Sequence, residues 1–160
     1  MVEDKLIQQL KSQKISITED TILERLLDRY RWPKLYSRDL QPSVEAIKED
    51  GTKHQDFFDD DDYINSLDCI KSYEEGYSLI ISNIGSLFKD LWLIQQLLNQ
   101  NYQKHINCNL YFGNGKKSVS FFKHNHEYPV IVKNIYGTSR WIIDEKEVVL
   151  KDQDVIWFDK

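Results

Sequence analysis

The stretch FFKHNHEYPVIVKNIYGTSRW, from Phe121 to Trp141, decides how the second half of this chain is read. It carries two of the four histidines, His124 and His126, one residue apart, and an apolar run with Gly137 and Trp141 follows. Alternate side chains of a strand share a face, so a strand here would bring both imidazoles to one side. Two readings follow. The pair holds a metal ion, or two polar residues share a face and nothing more.

Outward from this stretch the texture divides near Asn101. Beyond it, INCNLYFG, SVSFFKHNH, YPVIVKNIY, SRWIID, KEVVL and DVIWF are short β-branched and aromatic runs, separated by GNGKK, YGT and DEK. They read as antiparallel strands joined by tight connections. Before Asn101 the period is helical. Asp4 to Lys14 is one amphipathic segment, and SITEDTILERLLDRYRWP is a second, capped by Thr18 or Thr21 and ended by Pro33. QPSVEAIKEDG is expected as a further helical turn or two, with Ser43 as cap and Gly51 as stop. YINSLDCIKSYEEG is expected to be helical up to Gly76. YSLIISNI reads as a strand, and GSLFKDLWLIQQLLNQN as a helix capped by Ser86. Trp92 on that helix is expected to pack. The expected class is therefore α+β: one domain over 1–160, mainly helical through 101 and β-rich from 102 to 160, with a β-barrel or sandwich core.

Composition narrows the function classes. A chain of 160 residues, 41% hydrophobic and 29% charged, suits a globular protein with a sizeable core. No apolar run approaches the ~20 residues needed to span a bilayer. The start MVEDKLIQQLKSQK lacks the apolar core of a signal peptide. Two cysteines, Cys69 and Cys108, make no disulfide framework and no CxxC pair. A cytoplasmic setting is expected, with no membrane partner. The net charge of −5 argues against broad electrostatic binding to nucleic acid. Asp59 to Asp62 lack the alternating ligands and central glycine of a calcium loop, and read as a solvated loop or helix start.

These residues also carry a resemblance. From about Ser66 to Phe158 the chain resembles the JmjC/cupin class of Fe(II)- and 2-oxoglutarate-dependent oxygenases, most of all its bacterial and ribosomal protein hydroxylases. That family shows Asn-x-Tyr on one strand, then His-x-Asp, a Gln eight residues on, a Gly three further, and a basic–aromatic pair. Here the matching residues are Asn109 and Tyr111, His124 and His126, Asn134, Gly137, and Arg140 with Trp141. The resemblance implies a cupin-like antiparallel β-barrel of the double-stranded β-helix type, complete or incomplete. It also implies Fe(II) and 2-oxoglutarate as cofactors and a protein or peptide side chain as the hydroxylated substrate. His124 and His126 would be metal ligands, Arg140 would meet the 2-oxoglutarate carboxylate, and Asn109, Tyr111 and Asn134 would line the pocket.

The departures matter as much. His126 stands where the family has a carboxylate, and Glu127 would point to the opposite face of a strand. Ser139 and Arg140 occupy the place of a lysine that pairs with the co-substrate. VVLKDQDVIWFDK matches the segment that precedes a distal histidine ligand, and the sequence ends at Lys160. His105, His54 or an acid brought near by the fold would have to complete the ion's shell. The rival reading keeps the fold and makes it a non-catalytic binding module with a decayed metal site. A strand edge carrying Trp157 and Phe158 is expected to be covered by a second copy or a partner chain.

Overall fold

The computed structural model describes residues 2–28, 31–33, 42–53, 63–115 and 124–158. They fall into two compact units, one within Met1–Thr18 and His124–Lys160, the other within Glu19–Lys123. Helix and antiparallel sheet occur in both.

Helix α1 (Val2–Ser12) opens the first unit and buries Leu6 and Leu10 on one face. The second unit begins with α2 (Glu19–Leu27), whose acidic first turn suits the helix N-terminus and whose buried side is Ile22 and Leu26. Strand β1 (Arg31–Pro33) follows, then β2 (Ser43–Ile47) and β3 (Tyr63–Asn65), and β1 pairs with β3. The helical turn expected at QPSVEAIKEDG is thus a strand. Val44 and Ala46 lie against Ile81 and Leu79 of the neighbouring strand and are buried, and that pairing outweighs the weak local preference. Gly51 does not stop a helix. It takes a positive φ of 80° in the turn after β2, where its N–H donates to the Lys48 carbonyl.

Asn65 ends β3 and caps α3 (Ser66–Glu74), its Oδ1 accepting from the Leu67 N–H at 2.8 Å. Gly76, at φ 104°, closes that helix as expected. Strand β4 (Ser78–Ser82) is buried from Ser78 through Ile81, as a central strand must be, and pairs with β2 on one side. A 3-10 turn over Ile84–Ser86 follows, led by Asn83 at φ 56°. Because that turn absorbs Ser86, helix α4 (Lys89–Tyr102) starts later, with Phe88 at its cap position. Trp92 is 48% exposed rather than packed. Strand β5 (Leu110–Phe112) then pairs with β4, completing the sheet β2–β4–β5.

The first unit resumes with β6 (Val130–Lys133), β7 (Ser139–Ile143), β8 (Lys146–Leu150) and β9 (Val155–Phe158). Strand β6 pairs with β9, and β7 with β8 between them. The Asn134 N–H donates to the Asp154 carbonyl, and the Gln153 N–H to the Asn134 carbonyl, so one ladder nearly continues into the other. The two pairs form a single long hairpin with a one-residue offset, taken up where Gln153 adopts φ 64°. Its tip is the two-residue turn Asp144–Glu145, both at positive φ, the hand that matches strand twist.

The expected run of strands from Asn101 onward is present, but it is not one closed barrel. β5 belongs to the sheet of the other unit, and among the described residues each of the last four strands has a single neighbour. Closure requires two neighbours per strand. Residues 116–123, most of the expected strand SVSFFKHNH, and Asp59 to Asp62 lie outside the described residues. Its last three residues, His124 to His126, are not a strand.

Candidate functional site

The segment leading into β6 holds the histidine pair. The Nε2 atoms of His124 and His126 are 3.1 Å apart, and the rings meet edge to face at 4.6 Å. Tyr128 lies 5.1 Å from the His126 ring, and Phe158, on the strand paired with β6, lies 6.4 Å from it. These neighbours shield His126 in part, while His124 is exposed. Partial burial, and secondarily the charge of His124, push the His126 pKa below its ordinary 6.5. His126 therefore holds its neutral form at neutral pH, and the neutral form is the ligand. The pair faces solvent, not the interior of a barrel.

Two chemical states suit a 3.1 Å separation. In one, a single proton is shared between the nitrogens. In the other, both lone pairs converge on one ion. Bonds of roughly 2.0–2.1 Å to such an ion would subtend about 95–102° at it, an angle that octahedral or distorted tetrahedral coordination accepts. The residues present thus fit two positions of a first-row metal. Among the described residues, no group of three or more His, Cys, Asp or Glu converges as a metal cage. Glu127 is exposed, His105 lies in the Glu19–Lys123 unit, and His54 lies outside the described residues.

The residues expected to serve 2-oxoglutarate have other engagements. Asn134 donates through Nδ2 to the carbonyls of Tyr136 (3.3 Å) and Gly137 (2.8 Å), closing the turn between β6 and β7. That turn explains an Asn at the end of an apolar strand, and Gly137 supplies the positive φ, 71°, which it needs. Arg140 projects from β7 with a 78% exposed side chain, 3.7 Å from Glu147 on β8. Trp141 donates through Nε1 to Ser139 Oγ at 3.1 Å. Asn109 and Tyr111 belong to the other unit, where Asn109 Oδ1 accepts from the Asn83 N–H at 3.4 Å and Tyr111 is exposed on β5.

Two polar residues that the sequence did not single out organise the first unit. Lys133 extends its ammonium to the Leu10 carbonyl in the last turn of α1, at 2.9 Å, and burial lowers its pKa. Gln153 donates to the carbonyls of Ile135 (2.6 Å) and Ile15 (3.4 Å) and accepts from the Ile15 N–H at 3.3 Å. For Lys133 the hint in the sequence was a charge closing the apolar run VIV, whereas Gln153, set in KDQD, gave none. In the other unit, an open cavity is lined by Lys48, Glu49, Asp50, Glu75, Gly76 and Tyr77, and holds none of the expected site residues.

No helix among the described residues is long and apolar enough to cross a membrane. Comparisons with protein-family models, with curated proteins and with solved structures find no match to this chain.

Proposed function

We propose that this chain is an oxygenase-related, cupin-like metal-binding module in which His124 and His126 together hold one first-row divalent ion. The observation that carries the reading is the 3.1 Å approach of the two Nε2 atoms, with His126 held neutral. The long hairpin β6–β9 supports the cupin-like part, because a double-stranded β-helix is built from hairpins of this kind folded against one another. A bound Fe(II) with 2-oxoglutarate would supply dioxygen activation toward a protein or peptide side chain in a cytoplasmic setting. This chain's own part is to present two imidazoles, that of His126 held neutral, on a solvent-facing segment, which leaves most positions of the ion open.

The engagement of Asn134 and Arg140 elsewhere favours a second reading, the binding module with a reduced metal site. A titration of chelator-treated protein with Fe(II) under argon, and separately with Ni(II), separates the two. Metal binding should be weak in the wild type and lost in His124→Ala. It should be stronger in His126→Asp, where a carboxylate neutralises part of the ion's charge. Coupled 2-oxoglutarate turnover by the wild type should be small or nil. Equal affinity in all three proteins would remove the histidines from the metal site and leave the binding module.

A further inference from the structure

The outer face of the hairpin β7–β8 carries a pattern that the metal reading does not use. Four side chains form a two-by-two patch there. Arg140 stands opposite Val149 and Ile142 opposite Glu147. All four are exposed: Ile142 at 79%, Val149 at 46%, and the side chains of Arg140 and Glu147 at 78% and 58%. One diagonal is charged, with Arg140 and Glu147 3.7 Å apart, and the other is apolar. Isoleucine at that exposure is unusual on a strand whose alternate residues, Ser139, Trp141 and Ile143, are all partly covered.

We propose that this face is a self-association surface, and that its occupant is the same face of a second copy of this chain. The argument is charge complementarity under two-fold symmetry. Neighbours in the patch lie about 5 Å apart across the strands and about 7 Å along them. When two such faces stack, a two-fold axis parallel to the apolar diagonal places Ile142 over its own mate and Val149 over its own. The same rotation brings Arg140 to within about 3 Å, in projection, of the partner's Glu147 and Glu147 as near to the partner's Arg140, an offset that these long side chains span. An axis along the charged diagonal would instead set arginine over arginine and glutamate over glutamate. The charges therefore select one of two apolar packings, and the patch is complementary to itself, as an isologous interface requires. It is far smaller than the ~800 Å² per partner of a stable complex, so the dimer belongs to the weak class that forms at high protein concentration.

Sedimentation equilibrium of the full chain, from micromolar to millimolar concentration, tests this. The wild type should form dimers and nothing larger. Arg140→Glu and Glu147→Arg should each weaken dimerisation about tenfold or more, since each sets like charges face to face. An equimolar mixture of the two variants should associate again, because an all-acidic patch then meets an all-basic one. Circular dichroism of each variant should match the wild type, as neither position is buried. A wild type that stays monomeric throughout would overturn the proposal. So would association that ignores the charge reversals, which would place the contact elsewhere, or a mixture that fails to recover it.

Discussion

The two units of this chain are packed to different depths. In the Glu19–Lys123 unit, Ile22, Leu26, Val44, Ile47, Ile64, Leu79, Ile81 and Ile84 are all essentially removed from water. Among the described residues of the other unit only Leu10 reaches that state, and every position of β6 is half-exposed. The half-exposed unit holds the histidine pair and the Arg140–Glu147 patch. A core of interlocked apolar side chains carries stability and leaves little polar surface free, whereas a thin sheet leaves the side chains that meet ions and partners accessible.

The first way to break this contrast is to trim one apolar side chain to alanine in each unit. Leu79→Ala, at a position with no exposure, should cost about 2–5 kcal/mol in urea unfolding. Val148→Ala on the half-covered side of β8 should cost only about 1 kcal/mol. Comparable losses would show that the two units are packed alike. Next in size is Gln153→Ala. It removes three hydrogen bonds that join residues 15, 135 and 153, and it should cost about 2 kcal/mol in the same assay. A change no larger than that of an ordinary surface alanine would mean those bonds are exchanged with water at no loss.

Gly85→Ala sharpens the description of the dense unit. A Cβ at Gly85 would overlap the side-chain amide oxygen of Gln95, whose Nε2 donates to the Ile106 carbonyl at 2.6 Å. Displacing that amide should cost about 1–2 kcal/mol. The loss should shrink when Gln95→Ala is already present, and an undiminished loss would put the clash elsewhere.

Much of the dense unit was legible from local pattern. Leu26, Leu91 and Leu98 lie buried on segments read as amphipathic helices, and Leu79 and Ile81 on one read as a strand, because local pattern and burial agree there. The Ser43–Ile47 strand was not legible, since five residues of mixed preference acquire their form from β4, more than thirty residues away. The sheet memberships were hidden for the same reason. Texture identifies a strand but not its partner, and β5 joined the sheet of the first half although its composition matched the second. At the site, the adjacency of His124 and His126 was visible in their spacing. Its surface setting was not, and neither were the bonds of Asn134 to its own turn, since both depend on where the chain bends next.

Thiol reactivity offers a smaller reading of packing depth. Burial pushes Cys69, with no exposure, up to about 12, and half-buried Cys108 up to about 11. Iodoacetamide at neutral pH should modify Cys108 slowly and Cys69 more slowly still, with both fast in denaturant. Equal native rates would indicate that the dense unit opens as a whole. The smallest effect is that of His126 on pH dependence. Its folded pKa lies below the unfolded 6.5, so the unfolded chain takes up this proton more readily. The stability it contributes is full above about 6.5 and falls as pH drops through the folded value. In metal-free protein the His126 ring signals should titrate below 6.5 by NMR. In His124→Ala they should move only part of the way back, since burial is the larger cause. A complete return to 6.5 would make His124 the main cause.

The bonds between Ile15 and Gln153 join positions 138 residues apart. A ribosome delivers the first of these long before the last. Helix α1 and the segment after it emerge with their apolar side chains, Leu6, Leu10, Ile15 and Ile17, and wait while the whole Glu19–Lys123 unit is synthesised. During that interval the early segment is a hydrophobic stretch without a seat, the form of chain that holding chaperones recognise. A stalled or shortened chain that ends before β9 would keep its dense unit and present α1 as a handle for quality control.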